Sequence, residues 1–236
     1  MLTGAQLVAI CGPKFMTVER GDRVAAAIEE GAFSRWPITT KNSKRAFIAF
    51  TAEESGFYTA TRENLRHSPV TLAANWKRFR GPDGAPNAAA IELATKTPQE
   101  IGEALYGCDS NPGARAMGNV EPGDGYDFRG GCWLQITWRA TWQACAAAHG
   151  YDDLSRDELA GWADEAANDP VLNASCSAWF FTMYKPRILP FVATGDEGDF
   201  LRAGRECGVV GERAKGLWLT LWRKAGDVLP AEPVLT

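Results

Sequence analysis

Asp169-Pro170-Val171-Leu172-Asn173-Ala174-Ser175-Cys176-Ser177-Ala178-Trp179-Phe180-Phe181-Thr182-Met183-Tyr184 opens with a capping carboxylate and a proline, then runs small or apolar on nearly every side. Proline at the first helical position loses nothing, because its missing N–H is one the first turn leaves unpaired in any case. A helix with so little polar face has to be enclosed by other elements, so this stretch is expected to be the buried central helix of a helical body. The same punctuation recurs on both sides of it. Thr97-Pro98-Gln99-Glu100 and Ser155-Arg156-Asp157-Glu158 are capping boxes, which predict helices near 98–106 and 156–166. Further helices are expected from Asp196 to Cys207 and from Glu212 to Leu229, the last with Leu217, Leu221 and Lys224 or Ala225 at helical spacing. Alternating β-branched runs are scarce, so the expected class is mainly α.

The chain has 236 residues with 45% hydrophobic and 23% charged side chains, a composition that excludes wholesale disorder. We expect a single domain, with a helical portion over about 1–37 and a cleft-forming core over about 38–236. Lys+Arg 25 against Asp+Glu 29 leaves a net charge of −4, which gives no general field for nucleic acid or an anionic membrane. Lys77, Arg78 and Arg80 are the one local basic patch singled out. No stretch has the length of a spanning helix, and Met1–Ile10 lacks the pattern of a secretory signal, so synthesis in the cytoplasm is expected. Six scattered cysteines without a CxxC, and two histidines far apart, His67 and His149, argue for reduced thiols and against zinc. No cofactor is expected.

Two irregular stretches, 56–70 and 107–131, the second rich in glycine, break the helical pattern, and loops of that length in a compact chain usually form a binding surface. The first follows a helix that Thr40 or Asn42 can cap and Gly56 can close. Glu54 lies seven residues after Phe47 and four after Phe50. Glu53 stands in the same relation to Ala46 and Ala49. A carboxyl group bordering such a stripe loses solvation and gains pKa, as a general acid working near neutrality needs, but spacing alone does not choose between the two. The plainer reading is a solvated acidic pair at a helix end. Glu63 follows beyond the break at Gly56, so acid and base would face each other across a turn, as in an inverting glycosidase.

Glu54-Ser55-Gly56-Phe57, Glu63-Asn64-Leu65-Arg66-His67-Ser68, Met117-Gly118-Asn119, the run from Gly123 to Gly131 and Leu134-Gln135-Ile136-Thr137 together resemble glycoside hydrolase family nineteen, most strongly its bacteriophage endolysin branch. The resemblance covers about 38–142. It implies a lysozyme-like α-helical fold with two lobes around a substrate cleft and little β. It also implies hydrolysis of β-1,4 bonds in bacterial peptidoglycan by an inverting two-glutamate mechanism, without a cofactor. It maps the acid onto Glu54 and the base onto Glu63, gives Gln135 a substrate contact, and has Thr137 help hold the attacking water. It makes Arg129 a charge-neutralising cleft residue and places Tyr126 in the same block. Trp133 and Trp138, beside Gln135, are the candidates for stacking on sugar, whereas Trp179, Trp218 and Trp222 read as core. The plainer reading of Thr137 is a cap for the helix from Trp138 to His149.

The chain departs from the family at several points. Glu53 stands where a histidine is common, and its like charge would raise the pKa of Glu54 further. Cys132-Trp133 and Trp138 replace smaller residues, Thr141 replaces an asparagine, and the late Asn-Gly-Gly…Arg segment is reduced to Cys207 through Arg213. The expected partner is the peptidoglycan glycan strand. The protein would be a monomer held in the host bacterial cytoplasm until a holin-type lesion releases it onto the wall. The competing readings are a chitinase acting on N-acetylglucosamine polymers, a lytic transglycosylase, which needs only one catalytic acid, and a non-catalytic glycan-binding wall protein.

Overall fold

The computed structural model describes residues 1–207 and 212–230, with the side chains of 212–214 outside that description. Among the described residues it is mainly helical, with 62% helix, 2% strand, thirteen α-helices and no sheet. No helix among them is long and apolar enough to cross a membrane. The chain divides into two compact units. The first comprises Met1–Thr61, Gly131–Ile136 and Asp164–Thr236, and the second Arg62–Gly130 and Thr137–Ala163. Residues 1–37 therefore share a unit with the segment that follows them, and the division falls after Thr61.

The first unit is built around Pro170–Trp179, which continues as a wider π turn over Phe180–Tyr184. Asp169 caps it by accepting from Leu172 N–H at 2.7 Å, and Asn173 through Trp179 are all buried, as the apolar pattern requires. The chain over Ile28–Phe33 approaches this helix closely enough that a Cβ on Gly31 would stand 2.1 Å from the carbonyl oxygen of Val171. Lys41–Glu54 starts with a capping box between Thr40 and Ser43. From Ala46 to Ala52 every residue is buried. Phe50 stacks on Phe200 at 4.8 Å and meets Trp218 edge-on at 4.7 Å, while Phe47 packs against Phe181 at 5.5 Å. The predicted stripe is thus one side of a helix whose second half is enclosed all round, which brings both Glu53 and Glu54 into partial burial. In Glu212–Val228 the buried face is Trp218, Leu221, Trp222 and Ala225, continued by Leu229 just beyond. Lys224 faces out, and the two tryptophans are core, as is Trp179.

The second unit packs Leu65, Leu72, Phe79, Ile101 and Leu105 into its own core. Pro98–Tyr106 begins with the expected Thr97–Glu100 capping box. The predicted basic patch has a structural use here. Arg80 donates to the carbonyls of Ala73 and Ala74, and Arg78 to those of Ala104 and Ser110. These carbonyls lie at the ends of Pro69–Asn75 and Pro98–Tyr106 or just beyond, where backbone acceptors lack helical partners. None of the six cysteines is in a disulfide.

Candidate functional site

The structure places Glu54, Trp133 and Gln135 in the first unit, and Glu63, Tyr126, Arg129, Thr137 and Trp138 in the second.

In the first unit, Lys41–Glu54 ends on Glu53 and Glu54 side by side. Glu53 Oε2 accepts from the indole N–H of Trp218 at 3.1 Å, whereas Oε1 of Glu54 is buried with no hydrogen-bond partner. Burial raises the pKa of Glu53, and the hydrogen bonds it receives from Glu54 and Trp218 pull the other way. Glu54 is pushed up to about 8, chiefly by burial, then by the negative charge of Glu53 and by the hydrogen bond in which it shares its proton with Glu53. Both carboxyl groups are raised, Glu54 the further, so the pair favours holding a proton. The like-charge effect of Glu53 acts in the direction its replacement of a histidine implied.

The turn after this helix is left-handed over three consecutive residues, Gly56 (φ +56°), Phe57 (+61°) and Tyr58 (+65°). Only the glycine adopts that conformation without steric cost. Several contacts hold the other two. Tyr58 N–H donates to Ser55 Oγ at 2.7 Å, its hydroxyl meets Thr51 Oγ1 at 3.1 Å, Phe57 stacks on Phe15 at 4.2 Å, and Arg20 donates to the Phe57 carbonyl. The segment Gly131–Ile136 is a second strained turn, closed by paired backbone bonds between its end residues, with Cys132 (+58°) and Gln135 (+51°) left-handed. Gln135 is half-buried and donates from Nε2 to the Cys132 carbonyl at 3.3 Å. Trp133 differs from expectation: it is 3% exposed, its ring edge-on to Tyr58 at 4.9 Å and its N–H bonded to Asn173 and Ser177. It is a core ring, not a surface for a sugar.

In the second unit, Glu63 is held by an acceptor's set of contacts. The Tyr106 hydroxyl donates to Oε1 at 2.8 Å, Gly130 N–H approaches Oε2 at 3.4 Å, and His67 Nε2 stands 3.6 Å from Oε1. The Glu63 backbone N–H is bonded to the Gly130 carbonyl at 2.8 Å, which fixes the loop carrying the carboxylate. Burial, followed by the charge of Glu63, raises the pKa of Tyr106, so its phenol stays a donor. Trp138, half-buried and left-handed at φ +81°, presents its ring edge-on to Tyr106 at 5.4 Å. The structure therefore brings Trp138 within one residue of Glu63.

Arg129 lies over the Tyr126 ring at 4.1 Å and donates to the Tyr126 carbonyl at 2.7 Å. It makes no ion pair among the described residues. Fully buried Asp124 is paired with Arg139 at 3.3 Å and Arg156 at 3.1 Å, and Arg156 also holds Asp127. Thr137 is half-buried and stands one residue before the N-cap position of the following helix, which Trp138 occupies. That helix is Arg139–Ala148, and its first N–H is taken by Oδ1 of buried Asn119 at 2.8 Å. Tyr106 and Trp218 were not legible as site residues, since their contacts span 43 and 165 positions of sequence, while His67 and Gly130 stand inside the quoted blocks without a role read for them. Residues 208–211 and the Arg213 side chain, on which the late-segment correspondence rests, lie outside the described residues.

No protein-family model matches this chain, and no curated protein matches it.

Proposed function

We propose that the chain is a glycoside hydrolase acting on the β-1,4-linked glycan of bacterial peptidoglycan, with Glu54 as general acid and Glu63 as the base that activates water. The observation that carries this reading is the placement of Glu54, partly buried at the end of its helix with Oε1 out of reach of any hydrogen-bond partner and Glu53 beside it, where burial and the neighbouring carboxyl group raise its pKa to about 8 and favour the protonated form at neutral pH. A group protonated under working conditions can give that proton to a leaving glycosidic oxygen, and proton donation of this kind typically contributes about 10² to 10⁴ in rate. Glu63 has complementary surroundings. Two donors and a nearby imidazole converge on a carboxylate that can still accept from water. The strained residues in 57–58 and 132–138 add support, since left-handed non-glycine residues persist where function rewards them.

The lysozyme-like fold, the monomeric state, retention in the host cytoplasm and holin-dependent release belong to the same proposal and rest on the sequence resemblance. So does the choice of peptidoglycan over chitin. The test is to digest purified peptidoglycan, reduce the products with borohydride and identify the new ends by mass spectrometry. Reduced N-acetylmuramic acid marks a muramidase and reduced N-acetylglucosamine a glucosaminidase. Anhydro ends would replace the hydrolase by a transglycosylase, and the absence of new ends would leave a glycan-binding protein.

A further inference from the structure

A cavity of about 590 Å³ opens in the second unit beside the Glu63 contacts, lined by Arg66, His67, Ser68, Lys96, Thr97 and Ile101 among others. Its size is that of a small-molecule site. Its walls come from the residues that follow Glu63 and from the start of Pro98–Tyr106.

The charge on those walls has one sign. Arg66 and Lys96 are cationic, and no aspartate or glutamate lines the cavity. Three acids stand on adjoining segments, and each is already engaged, Glu63 by the Tyr106 hydroxyl and Gly130 N–H beside His67. Glu100 accepts from both the backbone N–H and the hydroxyl of Thr97 at 2.8 Å. Glu92 lies 3.6 Å from Lys96 with both groups exposed, a pairing weak enough for a better-placed anion to displace. The Arg66 guanidinium has no hydrogen-bond or ion-pair partner among the described residues, so its forked donors face solvent. His67 joins this cavity to the candidate base, since it lines the wall while its Nε2 is buried without a hydrogen-bond partner, 3.6 Å from Glu63.

We propose that this cavity is a subsite for carboxylate groups carried on the glycan, namely those of the short peptide branch on N-acetylmuramic acid. The inference rests on the peptidoglycan reading and deepens it. A neutral N-acetylglucosamine polymer offers nothing to Arg66 and Lys96, whereas a peptide branch offers carboxylates that an arginine fork can take bidentately. The subsite would favour the wall polymer over chitin without any change at Glu54 or Glu63.

The test measures binding, so that it stands apart from turnover. The disaccharide carrying its four-residue peptide, and the same compound with its carboxylates converted to amides, are titrated by calorimetry onto the full chain at low and at moderate salt. The acidic compound is expected to bind roughly three- to ten-fold more tightly than its amide, the range that one or two accessible ion pairs supply, with the difference shrinking as salt rises. The Arg66→Ala/Lys96→Ala double variant is expected to bind the two forms equally, and Arg66→Lys to keep most of the preference. Equal affinity for both forms in the unsubstituted protein overturns the subsite. So does a preference that survives in a double variant with native circular dichroism. Peptidoglycan that yields no new ends while the preference is present overturns the hydrolase and leaves the subsite standing.

Discussion

The indole N–H of Trp218 donates to Oε2 of Glu53 at 3.1 Å. The ring, carried by Glu212–Val228, is seated against Gly204, where a Cβ would stand 2.0 Å from its Cζ3, so only glycine lets Glu197–Glu206 pack against the indole there. A donor aimed at Glu53 favours its ionised form, and an ionised Glu53 favours the proton on its neighbour. The packing of an aromatic core and the protonation of a candidate acid are thus one arrangement.

Glu54→Gln is expected to fold and to lose about 10² to 10⁴ of the lytic rate, the contribution of a positioned acid. Turbidity clearing of outer-membrane-permeabilised cells measures the loss, and circular dichroism checks the fold. More than about a tenth of the original activity in a folded variant would be too much for an enzyme lacking its proton donor on that magnitude.

Glu53→Gln is expected to retain far more activity and to change its pH dependence. Activity that needs the Glu54 proton declines as pH rises through about 8. Removing the like charge and weakening the hydrogen bond lowers the Glu54 pKa, so the basic limb moves toward lower pH, by on the order of one unit. A basic limb that stays where it was in Glu53→Gln would separate Glu53 from the ionisation of Glu54.

Stability is expected to follow the same group. Glu54 ionises near 4.5 in an unfolded chain and about 8 in the native one, so between those values the native state binds more protons than the unfolded state. Its contribution is therefore fully present below about 4.5 and is lost as pH rises through about 8, at no more than ~1.4 kcal/mol per pH unit. Urea unfolding at pH 5 and pH 8 should show Glu54→Gln gaining on the unsubstituted protein at the higher pH. A constant difference between the two at both values would contradict the raised pKa.

The elements that read well from sequence are those whose signals are local. Asp169, Thr97 and Asp196 cap the helices that their own neighbours continue, so each start was visible within four residues. Glu53 and Glu54 were visible as carboxyl groups bordering an apolar helix stripe, with Glu54 singled out only by the family resemblance, and not as a proton-sharing pair anchored by Trp218. Thr137 illustrates the opposite case. A threonine ahead of a helix is a sound local cap, yet Asn119, twenty residues before Arg139, supplies the acceptor. Trp133 next to Gln135 resembled a sugar platform, but the backbone bonds to Asn173 and Ser177 draw it into the core. Which side of a strained turn a ring takes is set by distant partners, and no periodicity in 131–138 encodes them.

Tyr106→Phe isolates one of those distant partners, keeping the ring against Trp138 while removing the hydroxyl from Glu63. A hydrogen bond to a charged group is worth ~1.5 kcal/mol or more, so a loss of about ten-fold in kcat is expected, with little change in KM. A fall confined to KM would make Tyr106 a contact for substrate instead of a support for the base.

Stereochemistry tests the two-carboxylate reading as a whole. If Glu54 protonates the leaving oxygen while Glu63 takes a proton from water, the glycosidic bond breaks in a single displacement. Water then attacks the face opposite the leaving group, so the anomeric centre inverts. No covalent intermediate forms, and Glu63 needs to be an acceptor only, which the donors from Tyr106 and Gly130 favour. Proton NMR of the first-formed product from a β-linked oligosaccharide should therefore show the α-anomer ahead of mutarotation. An initial β-anomer would mean retention, with another carboxylate or the acetamido group of the substrate as nucleophile. Glu54 would then stand as the acid, and Glu63 would leave the mechanism.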